Sequence, residues 1–119
     1  MLYHNILVWR KAHEFTLQIY LITKKFPKDE LFGIVSQIRR ASSSVPANIV
    51  EGSARRSSKE YAQFLVLARG SLSETQYFLE LSKDLNYISK EEFDFLTLLS
   101  IEVSKMLNSL LTKIKRCNY

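Results

Sequence analysis

The sequence has few of the residues that break regular structure or build chemical sites. Three glycines and two prolines in 119 residues leave little material for the frequent turns of a many-stranded fold. Cys117 is the only cysteine, which excludes an intramolecular disulfide, and His4 and His13 are too few for a histidine-rich metal site. No run approaches the roughly 20 apolar residues of a membrane span, and the first residues lack a signal-peptide pattern. We therefore expect a cytoplasmic protein with no metal, no cofactor and no membrane partner.

Motifs for catalysis are also missing. The stretch HEFTL begins at His13 like a zinc-protease motif but lacks the second histidine four residues on. Residues 52–59 hold one glycine, too few for a phosphate-binding loop, and no serine stands in a nucleophile-elbow sequence. We expect no catalytic residues. An enzyme would need a buried acidic or metal pocket that the pattern does not indicate.

What the chain has in quantity is apolar residues at helical spacing. They recur at steps of three and four in four segments, which is typical of helices that pack in a bundle. The second stripe contains Leu31, Val35, Ile38, Ser42, Val45 and Ile49, and the fourth contains Phe93, Leu96, Ser100, Val103, Leu107, Leu110 and Ile114. Capping boxes, Ser57 with Glu60 and Ser89 with Glu92, mark the last two helix starts.

These patterns predict an all-α fold, an antiparallel up-down-up-down four-helix bundle in one domain over residues 1–119. The helices are expected at about 5–26, 29–52, 57–85 and 89–116. Pro46 either breaks or kinks the second helix. The stripe of apolar residues stays in phase through Pro46, so we favour one helix kinked at that residue. We expect Ser42 to Ser44 to provide the hydrogen bond that the freed carbonyl loses, and Gly52 to cap the C-terminal end of the helix.

Two small groups of residues have competing interpretations. Asn48 and Glu51, with Arg55 four residues after Glu51, predict a polar clamp between the second and third helices. A catalytic carboxylate at Glu51 would need a second acid or a metal ligand, and none is close in sequence. In the third helix, Ala68, Gly70 and Ser71 form a patch of small residues. Since glycine costs about 1 kcal/mol against alanine in a helix, this patch predicts close helix or subunit packing.

The segment from Gln37 to Glu74 resembles the signature of the four-helix-bundle proteins encoded in intervening sequences of bacterial 23S rRNA genes. That signature runs approximately Q-I-x-R-A, then S-x-P-x-N-I-A-E-G, and later A-x-G-S-x-x-E, and Val50 replaces its usual alanine. The matching positions are Gln37, Ile38, Arg40, Ala41, Ser44, Pro46, Asn48, Ile49, Glu51, Gly52, Ala68, Gly70, Ser71 and Glu74.

The resemblance implies a left-handed four-helix bundle that assembles as a homopentamer. It also implies a fold similar to the accessory protein of diversity-generating retroelements, which is a basic pentamer that binds nucleic acid. The resemblance predicts the fold and the assembly of the protein, and it implies no particular biochemical activity. Apolar residues beyond the core stripes, such as Leu7, Tyr20, Leu98 and Ile101, independently predict exposed patches and self-association.

The charge pattern suggests an anionic partner. The formal net charge is +5 and the isoelectric point is about 9.4. The candidate nucleic-acid-binding residues are Arg39, Arg40, Arg55, Arg56, Lys59, Lys113, Lys115 and Arg116. Such cations contact phosphates in one interpretation and form a solvated surface in the other. The leading hypothesis is a non-catalytic, basic, oligomeric scaffold that binds RNA or DNA. The alternative is a protein–protein interaction scaffold that binds no nucleic acid.

Overall fold

Four α-helices and a short 3-10 turn make up the described part of the chain. The computed structural model describes Tyr3 and residues 6–118, so the predictions for His4 lie outside it, as does the thiol of Cys117. The helices are α1 (Leu7–Thr23), α2 (Ile34–Ser53), α3 (Ser58–Asp84) and α4 (Lys90–Asn118). Each packs against its neighbours in the chain, and α1 also packs against α4, within overall dimensions of 46 × 24 × 20 Å. The all-α four-helix prediction is confirmed.

Both predicted capping boxes start a helix. The Ser57 hydroxyl accepts a hydrogen bond from the Glu60 backbone N–H at 3.1 Å, which opens α3. At α4 the arrangement is reciprocal. The Ser89 hydroxyl accepts from the Glu92 N–H at 3.1 Å, and the Glu92 carboxylate accepts from the Ser89 N–H at 2.8 Å. These bonds satisfy N–H groups that the first helical turn leaves without partners.

The second helix begins later than the sequence predicted. After Pro27, residues 28–30 form a 3-10 turn, and α2 starts only at Ile34 instead of near residue 29. Leu31, assigned to the core stripe, is therefore half exposed in the turn. The Glu30 carboxylate reaches the N–H of Ile34 at 3.4 Å and takes the place of a side-chain cap. It also accepts a hydrogen bond from the Tyr87 hydroxyl at 2.7 Å, which joins the two turns at this end of the bundle.

The core runs the length of the bundle. Its fully buried side chains include Phe15, Ile19, Ile38, Ile49, Leu65, Leu72, Leu79, Leu96 and Leu107. One assignment in the fourth stripe was wrong. Leu111 is 4% exposed while Leu110 is only partly buried, because the core-facing side of α4 follows the steps of four residues from Val103 through Leu107 to Leu111.

The α2 helix continues through Pro46, so the interpretation of a broken helix was wrong. Proline has no N–H, and the Ser42 carbonyl four residues earlier therefore has no donor from its own helix. The three serines do not replace that donor, since their hydroxyls donate to the carbonyls of Arg39 and Arg40. The donor comes from α1, where the buried Thr16 hydroxyl lies 2.9 Å from the Ser42 oxygen and 3.0 Å from the Ala12 carbonyl of its own helix, so its one proton is shared between the two.

Neither glycine of α2 and α3 has its expected role. Gly52 lies inside α2 with a negative φ, so it is not a left-handed C-terminal cap. A Cβ there would come within 2.8 Å of side-chain carbons of Phe64 and Tyr61, which means that Gly52 permits the close approach of α3. Gly70 is exposed, with nothing within 4 Å of its added Cβ. Within the chain it makes no close helix contact, whereas the neighbouring Ala68 is buried.

Candidate nucleic-acid interface

The turn from α2 to α3 places three cations within five residues. Arg55 is held in position. Its guanidinium donates to the Glu51 carboxylate at 2.7 Å and lies 4.6 Å from the centre of the Phe64 ring. This contact joins the end of α2 to α3. Because both charged side chains of the ion pair are substantially exposed, it contributes about 0.3–0.5 kcal/mol to stability.

Asn48 takes no part in that connection. Its side-chain amide donates to the Ser44 carbonyl at 2.8 Å, one turn back in the same helix. The Glu51 side chain is exposed. The described contacts therefore form a Glu51–Arg55–Phe64 unit and leave Asn48 outside it. Arg56 and Lys59 are exposed in the turn and at the start of α3.

A groove of about 640 Å³ follows one face of α4. It is lined by Lys105, Asn108, Ser109, Thr112, Lys113 and Arg116, which recur at steps of three and four and therefore share one side of the helix. Each of these side chains can form hydrogen bonds, and three carry positive charge. The carboxamide oxygen of Asn108 accepts from the Arg69 guanidinium at 3.1 Å, which ties α3 to this face.

Lys115 lies on a different side of α4. It lines a hollow of about 250 Å³ with Ala62, Gln63 and Val66 from the first turns of α3. The end of α4 and the start of α3 are thus neighbours, as the antiparallel topology requires. Lys59, also in the first turn of α3, belongs to the same end of the bundle.

Arg39 and Arg40 are separate from these cations. They lie in the first turns of α2, about 20 Å along the helix from its end at Ser53. Arg39 is also engaged in structure, because its Nε donates to the Thr23 hydroxyl at 2.9 Å and its guanidinium lies 4.7 Å from the Tyr20 ring centre. The eight predicted cations therefore do not form one surface.

The charge of the bundle divides along its length. Residues 6–13, 47–69 and 103–118 form one half, which we call the basic half. It has ten lysines and arginines against two carboxylates, a formal charge of +8. Residues 14–46 and 70–102 form the acidic half, with seven cations, ten carboxylates and a formal charge of −3. The net charge of the whole chain is modest because the acidic half offsets part of the large positive charge of the basic half.

Comparison with known proteins places this arrangement in a family. The model of the 23S rRNA-intervening sequence protein family matches residues 4–109. The chain belongs to this family. A protein of unknown function from the S23 ribosomal protein family of Bacteroides thetaiotaomicron, solved by crystallography, has a similar fold with a TM-score of 0.80. The two chains are 30% identical over 88% of this chain and 98% of that one. No curated protein matches this chain.

Sequence reasoning missed five residues of the candidate interface in this 23S rRNA-intervening sequence protein, which are Arg69, Lys105, Asn108, Ser109 and Thr112. A signal for Lys105 was present. After Glu102 the sequence contains four cations and no carboxylate, so the charged side chains in the last half of the fourth helix are all cationic. Arg69 and Asn108 carried no such signal, since their pairing depends on how α3 and α4 align.

Among the described residues, no group of three or more His, Cys, Asp or Glu side chains is placed to hold a metal ion. No helix in that part of the chain combines the length and the apolar character that crossing a membrane requires.

Proposed function

We propose that this protein is a non-catalytic, basic, oligomeric scaffold that binds RNA or another nucleic acid in the cytoplasm. The observation that carries the proposal is the +8 formal charge of the basic half. Within the described part of the chain, Arg56, Lys113 and Arg116 are exposed and form no ion pair. Exposed cations without carboxylate partners attract phosphates and release their counterions, which drives nucleic-acid binding.

The contacts of this surface are with the phosphate backbone, so binding is tolerant of sequence. Two separate elements contribute cations, the turn from α2 to α3 and the last turns of α4, and this spread favours an extended polyanion over a small anion. The family description names 23S rRNA, which makes RNA the first ligand to test.

Self-association is part of the proposal, and the assembly we propose is a homopentamer. The support in this chain is an aliphatic and aromatic surface on α1 and α4, away from the turn between α2 and α3. Its exposed members are Leu21, Phe95, Leu98 and Ile101. Apolar side chains grouped in this way favour a protein partner over water. A second copy of the chain is the simplest such partner.

The same surface favours a second candidate function, a protein-interaction scaffold that binds no nucleic acid. In that case the apolar face binds other proteins and the cations only keep the basic half hydrated. The two functions differ in whether RNA is retained at low salt and released as salt rises.

The deciding experiment compares two variants with the same loss of charge. Arg56→Ala with Arg116→Ala removes two cations from the basic half, and Lys24→Ala with Lys28→Ala removes two from the acidic half. On single-stranded RNA, log K falls as log salt rises. We expect the first variant to make this negative slope shallower by up to about 1.4 per engaged subunit. The second variant should leave that slope unchanged. Arg55 is kept because its contacts with Glu51 and Phe64 are structural.

Light scattering on each variant provides the control for assembly, since a homopentamer has about five times the chain mass of 13.9 kDa. No affinity of the wild type for RNA at low salt would reject the nucleic-acid proposal and leave the protein scaffold. Equal slopes for the two variants would show that the net charge, rather than the basic half, determines binding. A mass of 13.9 kDa at micromolar concentration would reject self-association.

A further inference from the structure

An aromatic groove lies between α1 and α2, on a different face from the cations at the α2–α3 turn. Its volume is about 400 Å³, and it is open to solvent along one side. The lining residues are Tyr3, Trp9, His13, Thr16, Leu17, Tyr20, Ser43, Pro46, Ala47 and Val50. Four of these ten side chains are aromatic rings, whereas the groove along α4 has none. The proposed phosphate contacts do not use this groove.

The rings follow one stripe of α1. Trp9, His13 and Tyr20 are separated by four and seven residues, spacings that return to the same side of an α-helix. The Trp9 and His13 rings are stacked, with centroids 5.0 Å apart and planes at 8°. The Tyr3 ring lies edge-on to the Trp9 ring, with the two ring centroids 4.9 Å apart. His13 is exposed and Trp9 is partly buried, so His13 is the solvent side of the stacked pair.

The other wall of the groove is low and mostly formed by small residues. Ser43, Pro46 and Ala47 of α2 face the rings, and none of them extends far enough to cover the groove. From His13 to Tyr20 the helix rises about 10 Å. That length is close to three stacked nucleotides at roughly 3.4 Å each.

Positive charge surrounds the groove. The Arg39 guanidinium lies 4.7 Å from the Tyr20 ring centre. Arg40 is exposed beside Ser43 on α2, and Arg10 is exposed beside Trp9 on α1. Two carboxylates lie nearby, Glu14 on the adjacent side of α1 and Glu51 next to Val50 on α2, and Glu51 already forms an ion pair with Arg55. Three cations against one carboxylate outside that ion pair favour an anionic ligand with flat apolar parts.

We infer that the α1–α2 groove binds unpaired nucleotides by stacking their bases on the His13–Trp9 pair and on Tyr20. Bases stack on aromatic side chains with little regard to sequence while cations follow the phosphates, and the groove provides both elements. In a duplex the base faces are covered by neighbouring pairs, so this groove selects single strands. The inference rests on the proposed nucleic-acid binding and specifies which form of nucleic acid is preferred.

Trp9 is the only tryptophan in the chain, so its fluorescence reports directly on the groove. We expect a short unpaired RNA strand to change Trp9 emission on titration and its duplex with the complementary strand to leave the emission unaltered. His13→Ala should weaken binding of the unpaired strand at least about fivefold and leave duplex binding unchanged. His13→Phe restores a flat ring and should retain wild-type affinity.

Tyr77→Ala is the matched control, because Tyr77 is also an exposed aromatic ring but lies on α3, outside the groove. Its affinity for the unpaired strand should equal that of the wild type. We use His13 rather than Trp9 for the truncation, since Trp9 packs partly against the core and its removal would disturb the fold.

Four results would overturn the inference. These are wild-type affinity in His13→Ala, an equal loss for strand and duplex, an emission change with a proline-rich peptide but not with RNA, and loss of the oligomer in His13→Ala. The last two assign the groove to a peptide or to a subunit contact. The proposed function fails separately, since RNA binding that depends on Arg56 and Arg116 can persist when His13→Ala has no effect.

Discussion

The two halves of the bundle use charged residues in different ways. In the acidic half, two carboxylates are paired with residues of another segment. The Glu30 carboxylate accepts from the Tyr87 hydroxyl, and Glu92 forms an ion pair with Lys25 of the segment after α1. In the basic half, by contrast, Arg56 and the last cations of α4 form no ion pair with the described residues. The paired carboxylates of the acidic half join its turns, whereas the unpaired cations of the basic half form a surface that favours an anionic partner.

The pairing in the acidic half also shifts the pKa values of the paired groups. The Lys25 ammonium and the N–H of Ser89 hold the pKa of the Glu92 carboxyl below its usual value of 4.5. The hydrogen bond to Glu30 raises the pKa of the Tyr87 hydroxyl above its usual value of 10.0. Where the halves meet, the Glu102 carboxylate lies 3.0 Å from the Lys11 ammonium and raises the pKa of that lysine.

The largest effect is expected from packing in the basic half, where charge does not hold the helices together. Gly52→Ala places a Cβ 2.8 Å from carbons of Phe64 and Tyr61. We expect the free energy of unfolding to fall by about 1–3 kcal/mol, because α2 and α3 must move apart. Urea denaturation measures the change.

Gly70→Ala is the control for that substitution. Its Cβ meets nothing within 4 Å, so alanine should raise the stability of the isolated chain by up to about 1 kcal/mol through helix propensity. A stable Gly52→Ala protein would show that α2 and α3 tolerate a wider separation than the structure indicates.

An intermediate effect is expected midway along the bundle, where Thr16 bonds to the Ser42 carbonyl. Thr16→Val keeps the shape of the side chain and removes the donor, so stability should fall by about 1–2 kcal/mol. Pro46→Ala supplies a backbone N–H to the same carbonyl. In a double-mutant cycle measured by thermal unfolding, Thr16→Val should therefore cost less in the Pro46→Ala background. Equal costs in both backgrounds would show that the Thr16 bond does not replace the missing N–H.

The smallest effect is expected from the exposed ion pair of the acidic half. Glu92→Gln should lower stability at neutral pH by less than about 1 kcal/mol. Since the pKa of Glu92 is lowered in the folded state, its contribution is complete above pH 4.5 and is lost as the pH falls through the lowered value. The difference between wild type and variant should therefore disappear in acid.

Glu91→Gln is the matched control, because Glu91 is a neighbouring exposed carboxylate with no ion pair among the described residues. Its stability should follow that of the wild type across the same pH range. A constant difference between Glu92→Gln and wild type down to strongly acidic pH would contradict a role for the ionised carboxylate.

The residues that sequence reasoning assigned correctly act through local patterns. The capping pairs at Ser57 and Ser89 and the stripes of apolar residues depend only on positions three or four apart, so the four helices could be predicted. Gly52 and Gly70 could not be told apart in that way. Which glycine lies against a neighbouring helix depends on how α2 and α3 cross, and the sequence of either helix alone does not determine that.

The candidate site shows the same limit. Cations near Arg55 and Lys113 were predicted as a set, and the antiparallel topology was enough to bring the end of α4 to the start of α3. Arg39 was grouped with them because it is also basic, yet its contacts with Thr23 and Tyr20 place it beside the α1–α2 groove, away from the α2–α3 turn. Composition identifies a positive charge. Whether that charge faces a ligand depends on long-range neighbours.

The Thr16–Ser42 contact also determines the register of the bundle. Where helices meet through leucine and isoleucine, sliding one helix by a turn, about 5.4 Å, replaces one apolar contact with a similar one. Only one backbone oxygen on α2 has lost its donor to Pro46, and only at one alignment does the Thr16 hydroxyl reach it. A slipped α1 would bury that oxygen without a partner, at a cost of about 1–3 kcal/mol. A proline that weakens its own helix thereby distinguishes the native alignment of α1 and α2 from its nearest competitors.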